Sequence, residues 1–130
     1  MERRVGDLMR RDFIRIRPEE DLASVAHLMG MARVRALPVV GDGGLAGMIS
    51  HRVLAREALA RARQGRPLDS PIAAFVEPIE PITPDATLRA AAARMIETDL
   101  PCLPAVGSAG RLVGLVTEGD LLRAAYESVR

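Results

Sequence analysis

Two stretches of the chain repeat one pattern and part at the residue that carries charge: Gly47-Met48-Ile49-Ser50-His51-Arg52-Val53 returns as Gly114-Leu115-Val116-Thr117-Glu118-Gly119-Asp120. In each, an apolar run ends on a hydroxyl residue and a helical pattern follows. Three positions beyond the hydroxyl stands Asp120 in the later copy and Val53 in the earlier. A hydroxyl and a carboxylate so spaced at a strand-to-helix junction can offer two polar groups to one ligand. The same pair also suits a purely local task, with Thr117 capping the helix and Asp120 answering its dipole.

The elements that must position these residues also come twice. Arg17-Pro18-Glu19-Glu20-Asp21-Leu22 aligns with Thr83-Pro84-Asp85-Ala86-Thr87-Leu88 at an offset of 66, and Ser50 aligns with Thr117 at an offset of 67, so one residue is gained in a loop. Each copy reads as strand, helix, strand, tight turn, strand, helix. Ile14 and Ile16 alternate with Arg15 and Arg17 as on a short half-buried strand that Pro18 stops. Asp21 suits an N-cap, and Leu22, Val25, Ala26 and Met29 recur at helical spacing, as do Leu88, Ala91, Ala92, Met95 and Ile96. Apolar runs at 36–40 and 102–106 then meet the turns Gly41-Asp42-Gly43-Gly44 and Gly107-Ser108-Ala109-Gly110, each expected to close a β-hairpin. Returning strands at 45–50 and 111–117 lead into helices at 51–64 and 118–127. The expectation is a mixed α+β fold of two β-α-β-β-α repeats, 1–68 with a linker helix and 69–130, related by a pseudo-twofold axis.

Composition narrows the function. Of 130 residues 48% are hydrophobic but only 2% aromatic, so the core is built from Ala, Leu, Val, Ile and Met. The 18 basic residues, all Arg, nearly balance 17 acidic ones, which gives no support to a broad phosphate-tracking surface. With Phe13, Phe75 and Tyr126 as the aromatic set, stacking on single-stranded nucleic acid is not expected either. The lone Cys102 rules out an internal disulfide, and no apolar run approaches the ~20 residues of a membrane span, so a soluble, cytoplasmic protein is expected. Two histidines and one cysteine show no metal spacing, and there is no nucleophile elbow or phosphate loop. No catalytic residue and no metal site are expected.

The chain resembles a tandem pair of cystathionine beta-synthase (CBS) domains, the arrangement called a Bateman module. The matching elements are Val5-Gly6-Asp7-Leu8-Met9, the strand ending at Pro18, Arg33-Val34-Arg35-Ala36-Leu37-Pro38-Val39-Val40, the glycine turn, and the segment from Gly114 to Asp120. Together they span about residues 5–127, so the resemblance implies a stand-alone module, not an enzyme. It further implies repeats packed through their sheets, clefts that take AMP, ADP, ATP or S-adenosylmethionine as a regulatory ligand rather than a required cofactor, and frequent homodimerisation.

The resemblance assigns roles to residues. Asp120 would accept hydrogen bonds from ribose hydroxyls, beside Thr117, while the helix start favours phosphate. The facing wall would be Val34, Arg35 and Ala36, with Met9 and Arg10 lining the same pocket. The other cleft would use Ser50, His51, Arg52 and Leu100, but Val53 cannot hold a diol there and Pro101 lacks a backbone donor. The leading function is therefore a sensor of an adenosine-containing ligand that signals to an unidentified protein partner. The alternative is a ligand-free dimerisation or docking module, to which the alanine-rich segment Leu54-Ala55-Arg56-Glu57-Ala58-Leu59-Ala60 would lend an apolar stripe.

Overall fold

A computed structural model describes residues 3–128. The chain forms α1 (Val5–Leu8), α2 (Leu22–Ala32), β1 (Ala36–Gly41), β2 (Gly44–Ser50), α3 (His51–Gln64), α4 (Leu88–Thr98), β3 (Cys102–Val106), β4 (Leu112–Thr117) and α5 (Glu118–Ser128). A 3-10 turn at Ile72–Phe75 and another at Ser108–Gly110 complete the element order. The fold is mixed α+β, with two antiparallel hairpins, β1 with β2 and β3 with β4.

The expected first strands shrink to single bridges. Ile16 pairs in parallel with Val39, and Ile82 with Ala105. Ile16 donates to Pro38 O and Val40 donates back to Ile16 O, at 3.1 and 2.8 Å. Pro18 ends the first pairing, and Pro81 and Pro84 bracket the second, because proline has no N–H to extend a ladder. Ile14 consequently lies outside the sheet, on the exposed side.

The helices are delimited by the chemistry their sequence offers. Asp21 accepts the Ser24 N–H, Thr87 that of Ala90, and Ser50 that of Val53, so each supplies a partner to a backbone donor left free at a helix start. Arg33 and Asp99, each in a left-handed conformation, end α2 and α4, and Gly65 ends α3. Leu22, Val25 and Met29 are buried as expected, and so are Ala91 and Met95. Ala26 is instead exposed, and Ile96 is 82% exposed because it falls off the face that meets the hairpin.

The chain divides into two compact units, each with its own core. One is Ile14–Ile79; the other joins the segment through Phe13 to the segment from Glu80 onward. These units do not follow the expected division at 68/69, whose outermost residues, 1–2 and 129–130, lie outside the described residues. The core of the first unit holds Ile16, Leu22, Val25, Met29, Leu37, Val39, Ile49, Leu54 and Ile72. That of the second holds Val5, Met9, Ile82, Ala91, Met95, Leu103, Ala105 and Val116. Val5 of α1 and Ile72 of the 3-10 turn are both fully buried and sit 67 residues apart, so each core is closed by a helical turn that precedes the other repeat in sequence.

That closing segment then pairs with the hairpin beside it. Glu77 forms an antiparallel bridge with Met48, and Arg10 with Leu115. Both bridges sit beside a β-bulge, where the register shifts between Val39 and Val40 and between Ala105 and Val106. Gly47 is needed at the first: it has φ +151°, and a Cβ there would lie 2.1 Å from Glu77 O. At Gly114 a Cβ would fall 2.6 Å from Met9 Sδ and 3.1 Å from Arg10 O.

Near the end of α3, Arg61 is buried and paired. It donates to Glu57 Oε2 at 2.8 Å and to Pro67 O at 2.9 Å, and its guanidinium lies over the Phe75 ring at 6.0 Å. The end of α3 is thereby tied to the chain that leads to the closing turn.

Gly47→Ala combines a disfavoured backbone conformation with a backbone clash, so it should destabilise the protein by about 1–3 kcal/mol or more. Gly43→Ala, where no atom lies within 4 Å of the added Cβ, should change stability by no more than about 1 kcal/mol. Urea denaturation of the two variants measures the contrast; equal midpoints would remove the close-approach argument.

Candidate functional site

Thr117 and Asp120 form a reciprocal cap at the start of α5. The Thr117 N–H donates to Asp120 Oδ2 at 3.0 Å, and the Asp120 N–H donates to Thr117 Oγ1 at 3.1 Å. Two backbone donors are satisfied at once, the arrangement of a capping box. Glu118, the first residue of α5, donates its N–H to Pro101 O at 2.9 Å and so anchors the helix start to the chain leading into β3.

Asp120 is also covered. Its side chain is only 2% exposed, and its Oδ1 lies 3.3 Å from Arg10 Nη2 and 3.7 Å from Arg123 Nη1. A buried carboxylate needs such partners, since an unpaired one would carry a large desolvation cost. The arginines are about half exposed, at 53% and 59%, so their outer faces remain in water. Arg10 is brought here by its backbone, which exchanges hydrogen bonds with Leu115 at 2.7 and 2.9 Å.

The expected site residues thus separate into two groups. Met9, Arg10, Thr117, Asp120 and Leu100 share one unit; Val34, Arg35, Ala36, Ser50, His51 and Arg52 share the other. Met9 is buried in the core of its unit beneath Gly114, so its place is structural support for Arg10 rather than an open lining. Leu100 is buried, as is Cys102. Val34 packs against the core of its own unit, Ala36 is buried, and Arg35 is exposed with its carbonyl accepting the His51 N–H at 2.7 Å. His51 and Arg52 are exposed at the start of α3.

The two helix starts share a backbone plan but not a chemistry. Ser50 Oγ accepts the Val53 N–H at 3.2 Å, as Thr117 does for Asp120, yet Val53 has no group to return the bond. By the offset of 67, Glu77 takes the place of Arg10, and Arg56 that of Arg123. The site with a carboxylate at the third helical position is therefore faced by a cation from the closing segment, whereas the other site has an acid on that segment and Val53 in place of that carboxylate. Sequence reasoning missed Arg123 and Glu77. The i, i+3 spacing of Asp120 and Arg123 and the offset that equates Arg10 with Glu77 were the available signals. Among the described residues, no group of three or more His, Cys, Asp or Glu side chains could hold a metal ion, and no helix is long and apolar enough to cross a membrane.

Losing either half of the cap should cost stability. Thr117→Val and Asp120→Ala are each expected to destabilise by about 1 kcal/mol, and the double variant by less than the sum, because the two bonds serve one turn. A double-mutant cycle in urea checks this; full additivity would mean that the residues act independently.

Comparison with known proteins agrees with this architecture. The CBS domain profile matches residues 5–60 and again 73–127. The chain is 30% identical over 118 residues to the CBS domain-containing protein YhcV of Bacillus subtilis, covering 90% of this chain and 81% of that protein. It is 33% identical over 118 residues to the inosine-5'-monophosphate dehydrogenase of Mycobacterium leprae, but that match spans 86% of this chain and 20% of the enzyme. Among solved structures, CBSX2 in complex with AMP superposes with a TM-score of 0.80 at 26% identity, covering 98% of this chain and 99% of that one. Two matched regions, each with its own capped helix start, place the chain in the CBS domain family as a tandem pair, a Bateman module.

Proposed function

We propose that the protein is a regulatory, non-enzymatic sensor that holds an adenosine-containing ligand at the Thr117–Asp120 helix start. The observation that carries this reading is a buried capping carboxylate in the first turn of α5, flanked by Arg10, in a CBS pair similar to one solved with AMP. A carboxylate so fixed can accept a ribose hydroxyl without first being ordered, which lowers the entropic cost of binding. The positive end of the helix dipole adds a preference for phosphate nearby. On this reading Arg10, Thr117 and Asp120 make one site, and Ser50, His51 and Arg52 at the start of α3 make a second of different specificity. Binding shifts a conformational equilibrium by the difference in affinity for its two states, and a partner protein reads the shift. The cytoplasm, where adenine nucleotides are abundant, is the compartment this reading requires.

Calorimetry with AMP, ADP, ATP and S-adenosylmethionine tests the reading. At least one should bind, and Asp120→Asn, which can keep an oxygen for the Thr117 N–H but loses the charge, should weaken binding roughly tenfold or more. Ligand at ~100 times its dissociation constant should stabilise the protein by about 2.7 kcal/mol. Absence of heat with all four ligands would defeat the proposal.

A homodimer is the second element proposed. Leu122 and Tyr126 lie one turn apart on α5 and are 72% and 67% exposed, and Ile96 of α4 in the same unit is also exposed. Large apolar side chains left in water at helical spacing favour a helix-to-helix contact. The segment Leu54–Ala60 contributes less than its sequence suggested, because Leu54 is in the core while Leu59 faces outward. Sedimentation should show a dimer for the wild type and a larger monomer fraction for Tyr126→Glu. A monomeric wild type at tens of micromolar would rule the dimer out.

A further inference from the structure

Asp120 is covered in a way that constrains which ligands can reach it. Its Oδ2 is committed to the Thr117 N–H, and its Oδ1 faces Arg10 and Arg123. At 2% exposure the carboxylate leaves no open approach for a hydroxyl. A ligand gains Oδ1 only when the Arg10 side chain moves off it. The Arg10 backbone cannot follow, because it is pinned to Leu115 on both sides of the peptide. The displaced guanidinium therefore stays within its own side-chain reach of the carboxylate, beside the incoming ligand.

Two cations facing one carboxylate leave an unmatched positive charge once a neutral hydroxyl takes the place of Arg10. We propose that Arg10, assisted by Arg123, is a specificity device: it masks Asp120 in the free protein and passes to the ligand's phosphate in the bound one. This rests on the adenosine reading above and narrows it to phosphorylated adenosines. Adenosine alone must break the ion pair and leaves Arg10 without an anion. S-Adenosylmethionine places a sulfonium at the 5′ carbon where a nucleotide carries its phosphate, a like-charge encounter for the freed guanidinium, and its carboxylate stands several bonds further out. A nucleotide brings an anion that planar arginine can grip with two donors. The corresponding positions of the other unit, Val53 and Glu77, lack both the masked carboxylate and the cation, so this selectivity belongs to one site.

Titration calorimetry of AMP, adenosine and S-adenosylmethionine against the wild type, Arg10→Gln and Arg123→Gln, each checked for an unchanged thermal midpoint before use, tests the exchange. The wild type should prefer AMP over adenosine and over S-adenosylmethionine by at least tenfold. Arg10→Gln should lower the AMP-to-adenosine preference at least fivefold, through weaker AMP and equal or tighter adenosine binding, and Arg123→Gln should lower it less. A wild type that binds AMP with an unaltered preference in Arg10→Gln overturns the arginine exchange while leaving the adenosine reading intact. A wild type that binds adenosine or S-adenosylmethionine as tightly as AMP also overturns it. Absence of heat from the wild type with these three ligands and with ADP and ATP sinks the adenosine reading itself and the selectivity with it.

Discussion

Each unit is closed by a backbone bridge between its hairpin and a segment that lies far away in sequence: Arg10 with Leu115, Glu77 with Met48. Pairing at such separation carries a loop-closure cost that local contacts do not. It is offset by burying Val5 and Ile72, which seal the two cores. The approach is closest at Gly47, where a Cβ would strike the Glu77 carbonyl, whereas at Gly114 it would press on the Met9 side chain and lie 3.1 Å from Arg10 O. Everything at the candidate site inherits its position from this contact. The Arg10 side chain meets Asp120 because its peptide is fixed to the strand that ends in Thr117, two residues beyond Leu115.

The same backbone therefore carries two different sites. Where the bridge delivers Arg10, the helix offers a carboxylate; where it delivers Glu77, the helix offers Val53. A duplicated scaffold can diverge this way at little cost, because the cap survives the substitution. Ser50 still satisfies the Val53 N–H, so losing the returning carboxylate removes one bond and not the helix start.

The local parts of this arrangement were legible in the sequence because local rules decide them. The helix over 51–64 and the strand over 102–106 match the structure, and Asp21 caps its helix as the spacing implied. The first strands are shorter than their pattern implies, since period-2 alternation around Ile14 and Ile16 does not show that the neighbouring prolines limit pairing to one bridge. Ile96 matches the apolar spacing of its helix yet is exposed, because a helical period assigns apolar residues to a face without fixing how wide that face is. The division at 68/69 follows the order of the repeats, whereas the units follow burial, and a four-residue helix such as Val5–Leu8 has too little periodicity to reveal which core it enters. Arg10 was legible as a neighbour of the site but not as a partner of Asp120, because tertiary ion pairs leave no trace in spacing.

The two oxygens of Asp120 are unequal, and that inequality separates folding from recognition. Oδ2 belongs to the fold: it closes the cap, and taking it would unmake the first turn of α5. Oδ1 faces half-exposed arginine side chains whose outer faces lie in water, so its partners can be exchanged without disturbing backbone. An ion pair with half-exposed arginines is screened by solvent and contributes modestly to stability, which makes it easier to break than a buried one. The carboxylate nevertheless cannot be left bare, because desolvation without a partner is far more costly than the exchange itself. The site is thus built to trade one polar partner for another, with the cap holding the carboxylate still while the trade occurs.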